Sequence, residues 1–490
     1  MVDGSAERGA KKITVVGAGI SGLIAAYELE QLGNDVEIFE GSSRIGGRIC
    51  THRFGSGEFT PFVELGAMRI PAKHRYTMDY VEKLGLADRL ADFRTLFSEE
   101  GAYHTTSAGF IRVRDAAQKL VHEFRLGLNG TRYCDDALLF GAWLTAIGNA
   151  IAPANFRVTL RNDISVELLK LVEKVDLKPF LRGDRRDRFD LHAFFAAHPE
   201  IRSSGSGRLN RFLDDILNET SPELARLEGG MDQLVHRLED NIRGPILCNQ
   251  EVLGLDVQDD HVLVEFRRGT GTVVRRCDYV LCTIPFSILR SLRLNGLSPD
   301  KRAVINEVAY WSATKVAFLC REPFWEGDGI TGGASFSGGR VRQTYYPPVE
   351  ADPARGAVLL ASYTMGDDAD VLGRLPQAQR HEVVLDEVAR MHPELLRPGM
   401  VVDIVSRAWG QYRWSRGGGV TRWGKDAMAC GVERDGAARP EGRLFFAGEH
   451  CSSTTAWIDG AIESAVNAVH KISRTQPSRC TVAVARAGGV

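Results

Sequence analysis

Apolar positions near the start of the chain occur first in a short run and then at helical spacing. Residues 13–16 are β-branched, which is typical of a strand buried on both faces of a sheet. Residues 23–32 have helical periodicity, the pair Gly33-Asn34 ends the helix, and residues 36–39 form a second apolar strand. This order predicts a βαβ unit with a parallel sheet.

A similar strand-and-helix pattern occurs near the other end of the chain. Residues 444–447 form an apolar strand that runs into Gly448 and Glu449, and a loop follows. The helix after this loop carries its apolar residues at helical spacing: Ile462, Ala465, Val466, Ala468 and Val469. The N-terminal end of this helix is suited to face an anion or another electron-rich group.

The middle of the chain contains two further patterns. Alternation with period two, and a turn at Asp259-Asp260, predict a β-meander over residues 252–257, 262–266, 273–276 and 279–283. Residues 115–225 are mostly helical in pattern, with the clearest amphipathic pieces at residues 166–181 and 208–217. Pro179 and Gly183 interrupt this part, and its charged run at residues 182–188 is typical of a solvated face. We therefore predict an inserted helical domain.

Composition excludes several classes of protein. Lys and Arg total 61, Asp and Glu total 63, and the formal net charge is -2, so nucleic acid and anionic membrane are not predicted as partners. The nine cysteines are scattered and odd in number, which argues against a disulfide framework or a metal site. No secretory h-region and no apolar run of a membrane span's length is present, so we expect a cytoplasmic enzyme. Residues 475–490 are expected to be a disordered tail.

The first strand leads into a glycine pattern of known chemistry. Gly17, Gly19 and Gly22 form G-x-G-x-x-G around Ile20 and Ser21, and Glu40 follows the second strand. In such a motif the first glycine turns the chain, and the second lets backbone N–H groups approach a pyrophosphate at the helix N-terminus. The third glycine permits close packing of helix and strand, and the acid accepts ribose hydroxyls. The complete order predicts a dinucleotide site.

The residues after Glu40 distinguish a flavin from a nicotinamide. The stretch GSSRIGGR, residues 41–48, resembles the corresponding extension of the FAD-containing amine oxidase superfamily, and so does the strand–Gly448–Glu449 segment. The resemblance implies FAD, with Arg48 neutralising phosphate charge and the backbone of Val252 holding the adenine; the Gly229-Gly230 turn is a further candidate. Arg44 also fits a surface loop. The implied cofactor-binding residues are Gly17, Gly19, Ile20, Ser21, Gly22, Glu40, Gly41, Ser42, Gly47, Arg48, Gly66, Ala67, Met68, Arg69, Val252, Gly448, Glu449, Trp457 and Ile458.

Three further stretches resemble the L-amino acid oxidase branch of this superfamily: ELGAMRIPAKH, SATKVAFLCREPFWEGDGITGG and ASYTMGDDA. The resemblance implies that Arg69 and Tyr363 bind the substrate carboxylate, for which a guanidinium offers two parallel donors. A structural salt bridge between Arg69 and Glu64 is the alternative. Since a buried guanidinium keeps its proton, Arg69 requires an anionic partner in either case.

The same resemblance implies roles for four other residues. Lys315 hydrogen-bonds a water beside flavin N5, or alternatively extends from a strand end to solvent. Trp457 forms a wall around the substrate Cα, and the carbonyl of Ala456 accepts from the amino group. Close relatives often have glycine where this chain has Ala456. Trp414 either forms a second wall of the substrate site or packs in a core.

The implied reaction is oxidative deamination of an L-amino acid to a 2-oxo acid through the imino acid, with release of ammonia and hydrogen peroxide. Three alternatives remain: an amine oxidase, an amino acid 2-monooxygenase of the same fold, and a flavoprotein that binds FAD structurally and acts through a partner protein. Trp311, Trp414 and Trp457 favour an apolar or aromatic substrate side chain. The expected partners are the amino acid, molecular oxygen and a second copy in a homodimer.

The expected fold is α/β, with a Rossmann-like FAD-binding domain of the amine oxidase type, a mixed α+β substrate domain and the helical insertion. A chain of 490 residues is too long for one core, and the two similar ends imply a discontinuous first domain. The predicted boundaries are residues 10–66, 226–300 and 437–474 for the FAD domain, residues 67–114 and 301–436 for the substrate domain, and residues 115–225 for the helical domain.

Overall fold

A computed structural model describes residues 10–57, 60–128, 130–152, 154–203, 206–350 and 352–475, so most of the predicted tail, residues 476–490, lies outside the described residues. The α-helices are α1 Ile20–Gln31, α2 Arg75–Lys83, α3 Ala117–Leu126, α4 Asp135–Ile151, α5 Ala154–Asp163, α6 Leu169–Val172, α7 Leu191–Ala197, α8 Pro199–Ser203, α9 Gly207–Glu219, α10 Gln233–Asn241, α11 Phe286–Leu289, α12 Pro299–Glu307, α13 Asp367–Gly373, α14 Gln377–Ala389, α15 Ala427–Ala438 and α16 Ile458–Arg474.

The strands are β1 Lys12–Val16, β2 Asp35–Phe39, β3 Thr51–Arg53, β4 Phe62–Glu64, β5 Ile70–Pro71, β6 Leu90–Asp92, β7 Tyr103–Thr106, β8 Gly109–Arg112, β9 Leu181–Arg182, β10 Arg188–Phe189, β11 Leu224–Leu227, β12 Ile246–Leu247, β13 Val252–Val257, β14 Val262–Arg268, β15 Gly271–Cys277, β16 Tyr279–Cys282, β17 Arg293–Asn295, β18 Tyr310–Trp311, β19 Ala313–Cys320, β20 Ala334–Phe336, β21 Gln343–Tyr345, β22 Ala357–Met365, β23 Val401–Ala408, β24 Gly419–Val420 and β25 Leu444–Phe446.

A parallel sheet joins the two ends of the chain. Its strand order is β12-β2-β1-β16-β25, and helices α1 and α16 pack against each other beside it. Lys11 Nζ donates to the carbonyl of Ile472 at 2.5 Å, which ties the start of β1 to the end of α16. The predicted βαβ unit and the predicted C-terminal strand and helix are both confirmed.

The predicted meander is confirmed for three strands and wrong for the fourth. Strands β13, β14 and β15 pair antiparallel in sequence order. Residues 279–283 were expected to continue this meander, but β16 pairs in parallel with β1 and β25 instead. All four residues of β16 are buried, and a strand covered on both faces belongs in the interior of a parallel sheet.

A seven-stranded sheet carries the middle of the chain, in the order β23-β19-β22-β21-β20-β7-β8. Its central strands β19 and β22 are antiparallel, with Lys315 directly opposite Tyr363. The register shifts between Val316 and Phe318, which is the mark of a β-bulge. The two residues at the centre of the candidate chemistry are therefore cross-strand neighbours on a buried sheet.

Helices α3 to α9 form most of the segment predicted as a helical insertion. In α9, the buried residues Leu209, Leu213 and Ile216 recur at helical spacing, as the sequence predicted. Residues 166–181 do not form one amphipathic helix, because the helical run ends at Val172 and a short 3-10 turn that contains Pro179 follows at Lys178–Phe180. Within the described residues, no helix combines the length and the apolar character that a membrane span requires.

Candidate active site

An elongated cavity of about 330 Å³ lies along the carboxyl ends of the parallel strands, which is the usual position of a ligand in such a sheet. The loops after β1, β2 and β25 line it, and Val252 lies at its wall. Of the nineteen residues predicted to bind the cofactor, those at this cavity are Gly17, Gly19, Ile20, Ser21, Glu40, Gly41, Ser42, Gly47, Arg48, Gly66, Ala67, Val252, Gly448, Glu449, Trp457 and Ile458.

The three motif glycines have different surroundings. Gly17 has φ of +106°, a conformation that favours glycine. A Cβ on Gly22 would lie 1.9 Å from the Gly17 carbonyl oxygen, so the third glycine allows the helix to pack on the turn. Gly19 has φ of -73°, and a Cβ on it would meet nothing closer than Gly47 Cα at 4.0 Å. Neither backbone strain nor protein packing explains this glycine.

Two carboxylates frame the cavity. Glu40, after β2, accepts hydrogen bonds from the backbone N–H groups of Ala18 at 2.9 Å and Ser42 at 2.8 Å. An ionised carboxylate has about four acceptor positions, so Glu40 retains capacity for ribose hydroxyls. Glu449, after β25, pairs with Arg48 at 2.8 Å. Burial opposes ionisation of Glu449, yet the charge of Arg48 holds its pKa below the usual value.

A second, smaller cavity adjoins the first and shares seven lining residues with it: Gly66, Ala67, Lys315, Tyr363, Ala456, Trp457 and Ile458. Arg69 and Met68, two of the predicted cofactor residues, line this second cavity and not the first. It contains both predicted carboxylate contacts, Arg69 and Tyr363. A small molecule bound in the second cavity would therefore lie beside one end of a ligand bound in the first cavity.

Arg69 is buried, with only 5% of its surface exposed. Its guanidinium donates to the Tyr345 hydroxyl at 2.9 Å, and its Cζ lies 5.9 Å from the ring centre of Trp457. Its ion pair is with Glu219 at the end of α9. The alternative partner considered from the sequence, Glu64, instead accepts hydrogen bonds from Thr51 and from the backbone of Met231.

Lys315 is equally buried and sits where the two cavities meet. Its Nζ donates to the carbonyls of Gly66 at 2.7 Å and Glu64 at 3.1 Å, and lies 4.7 Å from the Tyr363 ring centre. The pKa of Lys315 is lowered to about 7, mainly by burial; the charge of Glu64 opposes the shift and that of Arg69 adds to it. The side chain does not extend to solvent, so that alternative is wrong.

Trp457 caps the N-terminus of α16 and lines both cavities. The preceding residue, Ala456, has φ of +65°, and its N–H donates to Glu449 at 3.0 Å. This left-handed conformation explains why glycine suits the position and why a methyl group there carries strain.

Comparison with known proteins agrees with this geometry. The chain matches the family described as flavin containing amine oxidoreductase over residues 20–473. It belongs to that family. It is 69% identical to the flavin-dependent L-tryptophan oxidase RebO of Lentzea aerocolonigenes, over 95% of this chain and 98% of that protein.

More distant relatives are similar along nearly the same length. An L-amino-acid oxidase of Notechis scutatus scutatus is 26% identical over 96% of this chain and 88% of its own length. A solved structure of putrescine oxidase with putrescine covers 95% of this chain and 99% of its own, with TM-score 0.62 and 19% identity, which establishes the shared fold alone. FAD as the cofactor, the fold class and a flavin-dependent oxidoreductase activity are thereby confirmed.

Three sequence predictions differ from the geometry of this flavin-containing family member. Trp414 lies against Gly41, where an added Cβ would be 2.4 Å from its ring, and it lines the first cavity and not the second. The Gly229-Gly230 turn lines neither cavity and is held by Arg53. Arg44 is half-buried and lines the first cavity, and its guanidinium donates to the carbonyls of Ile45 and Ile49 in the loop that follows it. Contacts distant in sequence fix the positions of Trp414 and of the glycine turn, whereas the contacts of Arg44 are local.

The sequence missed several residues that line the second cavity. Glu219 and Asp215 come from α9, while Trp423 donates from its indole N–H to Asp215. Trp423 meets Trp311 in an edge-to-face arrangement, with the ring centres 5.6 Å apart. The amphipathic pattern of α9 predicted its buried apolar face. It did not predict that Asp215 and Glu219 are the acidic residues of this helix that line the cavity.

Proposed function

We propose that this flavin enzyme oxidises an L-amino acid with an aromatic side chain, L-tryptophan or a close analogue. The overall reaction consumes the amino acid, dioxygen and water, and forms the 2-oxo acid, ammonia and hydrogen peroxide. The observation that carries the proposal is the buried Arg69 in a cavity that opens onto the cofactor cavity beside Lys315. The high identity to an L-tryptophan oxidase supports the choice of side chain.

Arg69 and Tyr363 hold the α-carboxylate in this proposal. The substrate carboxylate replaces Glu219 on the guanidinium, so one anion is exchanged for another and Arg69 is never left buried and unpaired. Bidentate contact with the guanidinium restricts the amino acid to a narrow set of orientations. The carbonyl of Ala456 accepts from the amino group, and Trp457 bounds the space beside Cα.

The aromatic side chain occupies the part of the cavity lined by Ile151, Trp311 and Trp423. Aromatic rings prefer offset or edge-to-face neighbours, and two tryptophans supply both arrangements. The same Arg69 argues against a primary amine such as putrescine, because such a substrate has no carboxylate that could replace Glu219 on the guanidinium.

The residues of the first cavity would hold FAD, with the N-terminus of α1 available to its pyrophosphate and Glu40 to its ribose hydroxyls. The chemistry that FAD would supply here is hydride acceptance from the substrate Cα and transfer of two electrons to dioxygen. Lys315 supplies positive charge where negative charge develops on oxygen. No residue acts as an obligatory base, since the substrate amine reacts in its neutral form and the protein contributes position and electrostatics.

The domain boundaries stated from the sequence, the homodimer and the cytoplasmic location stay predictions. We keep the division into a discontinuous FAD domain, a substrate domain and the helical domain as part of this proposal. The seven-stranded sheet carries Lys315 and Tyr363, α9 carries Glu219, and the parallel sheet carries the glycine loop.

Anaerobic bleaching of the yellow holoenzyme tests the proposal. L-tryptophan is expected to bleach it rapidly, whereas D-tryptophan and tryptamine, which lacks the carboxylate, are not. Faster bleaching by tryptamine would indicate an amine oxidase. Under air, peroxide and indole-3-pyruvate are expected in equal amounts; an amide with carbon dioxide would indicate a monooxygenase. Absence of bleaching by every common amino acid would favour a structural flavoprotein.

A further inference from the structure

A third cavity, of about 310 Å³, lies behind the candidate active site. Its walls are mainly apolar and buried, and come from β4, β11, β21 and β22 together with the loop before β5. The principal wall residues are Val63, Met68, Leu227, Met231, Tyr345 and Leu360. This volume is within the range of cavities that bind small ligands, and the proposed reaction does not use the third cavity.

One side chain separates this cavity from the candidate site. Met68 lines both the third cavity and the cavity that contains Arg69. Its Sδ lies 3.3 Å from Lys315 Nζ, and Glu64, which also lines the third cavity, accepts from Nζ through its carbonyl at 3.1 Å. The third cavity therefore ends within one residue of the lysine.

The mouth of the cavity has a different chemistry from its interior. Asp92 and Arg94 are exposed lining residues, and Arg226 and Glu350, which also line the cavity, form an ion pair. The charged amino and carboxylate groups of an amino acid would lose their hydration against the apolar walls of the interior. A small uncharged molecule loses no such solvation. An apolar interior that Met68 separates from Lys315 fits dioxygen.

We propose that this cavity brings dioxygen to Lys315 from the side of Met68, separately from the amino acid. The inference rests on the proposed function, in which dioxygen takes two electrons from the reduced cofactor and two protons to become hydrogen peroxide. The second cavity is occupied by the amino acid or its product while the cofactor is reduced. A separate route lets oxygen reach the lysine in that state.

Gly332→Trp tests the route. Gly332 is buried in the cavity wall and does not have a positive φ, and a Cβ there meets side-chain atoms of Arg94, the nearest at 3.1 Å, so the indole must displace this exposed side chain and obstruct the cavity. Gly327→Trp is the matched control, because Gly327 is exposed, has no positive φ and has nothing within 4 Å of an added Cβ. Both holoenzymes are reduced with dithionite and mixed with oxygenated buffer.

Gly332→Trp is expected to slow reoxidation several-fold, while Gly327→Trp reoxidises like the unaltered protein and both variants bleach normally with L-tryptophan. Equal reoxidation rates for all three proteins would overturn the route. Because dithionite supplies the electrons, this result does not depend on the amino acid. Failure of L-tryptophan to bleach any of the proteins would instead count against the proposed function.

Xenon supplies a readout that needs no turnover, since it enters dry apolar cavities of this kind. A crystal of the unaltered holoenzyme under xenon pressure is expected to show xenon between Met68 and Leu360. The Gly332→Trp crystal, exposed for the same short time, is expected to show less. A crystal of the unaltered protein without xenon at this position would overturn the proposal even if the variant failed to fold.

Discussion

At the scale of single residues, the candidate site is built from buried cations with different partners. Arg69 has an ion pair with Glu219, whereas Lys315 has only carbonyl oxygens and a thioether at hydrogen-bonding distance. A guanidinium remains charged in either setting, but an ammonium without a direct carboxylate partner titrates more easily. Arg69 is therefore suited to permanent anion binding, and Lys315 to a charge that depends on pH.

Replacing Arg69 by Ala removes the proposed carboxylate contact. We expect a loss of about 2–5 kcal/mol in binding of L-tryptophan, which appears as a raised KM. The measurement is steady-state peroxide release, with Arg89→Ala as a control because that arginine side chain is 56% exposed. Unchanged kinetics of the Arg69 variant would contradict its assignment to the substrate.

The pKa of Lys315, lowered to about 7 mainly by burial, predicts a pH-dependent oxidative step. Below this pKa the ammonium is present and assists transfer of electrons to oxygen; as pH rises through about 7 the charge is lost. The second-order rate constant for reoxidation is therefore expected to fall with rising pH. In Lys315→Met the rate constant for reoxidation should be low and independent of pH around 7. If the rate constant of this variant still changed with pH there, the titrating group would not be Lys315.

At the scale of secondary-structure elements, the ends of helices and strands place the functional groups. The glycine loop lies between β1 and α1, Trp457 caps α16, and Glu219 is the last residue of α9. Local signals predicted the first of these ends, because the glycine spacing and the apolar strand before it are contiguous in sequence, whereas the resemblance to the family implied the role of Trp457. The pairing of Glu219 with Arg69, 150 positions away, has no local signal.

Gly19→Ala is expected to impair cofactor binding without impairing the fold. The added methyl meets no protein atom closer than 4.0 Å, yet it points into the space proposed for the pyrophosphate. We predict a largely colourless protein whose apo form melts at the same temperature as the unaltered apoprotein. Gly431→Ala, also free of neighbours within 4 Å, is the matched control and should retain its flavin.

Glu219→Gln tests the exchange of anions at the end of α9. The variant removes the carboxylate that pairs with Arg69 when no substrate is bound. The affinity for L-tryptophan is therefore expected to rise several-fold, because the substrate carboxylate no longer has to displace Glu219. The ligand-free protein is expected to be less stable, because the buried guanidinium has lost its ion pair. Anaerobic titration of the flavin spectrum and thermal melting measure the two effects. The exposed Glu223→Gln is the control, and weaker binding in the Glu219 variant would show that this acid helps to hold the substrate.

At the scale of the whole molecule, one cofactor cavity depends on both ends of the chain. The loops after β1 and β25 face each other across it, and Arg48 and Glu449 form an ion pair between segments 401 positions apart. A ligand that binds only the folded state stabilises the elements that contact it. Cofactor binding is thus coupled to the closure of the parallel sheet.

Hydrogen exchange should reveal this coupling. Adding FAD to the apoprotein is expected to slow amide exchange in β1–α1 and in β25–α16 together, because both segments line the same cavity. The β14–β15 hairpin, which does not line it, serves as the internal reference. Protection limited to the N-terminal segment would contradict a cofactor site built from both ends.

The sequence by itself determined the parts of this protein that depend on neighbouring residues. Strand and helix periodicity, the glycine spacing and the motifs around Arg69, Lys315 and Trp457 are all contiguous, and they identified the fold class, the flavin and the candidate substrate contacts. Only the tertiary structure decided that Glu219 holds Arg69, that Trp414 covers Gly41, that β16 leaves the meander, and that Met68 separates two cavities. These contacts join segments far apart along the chain. They depend on how side chains pack in three dimensions, which leaves no periodic pattern in the sequence.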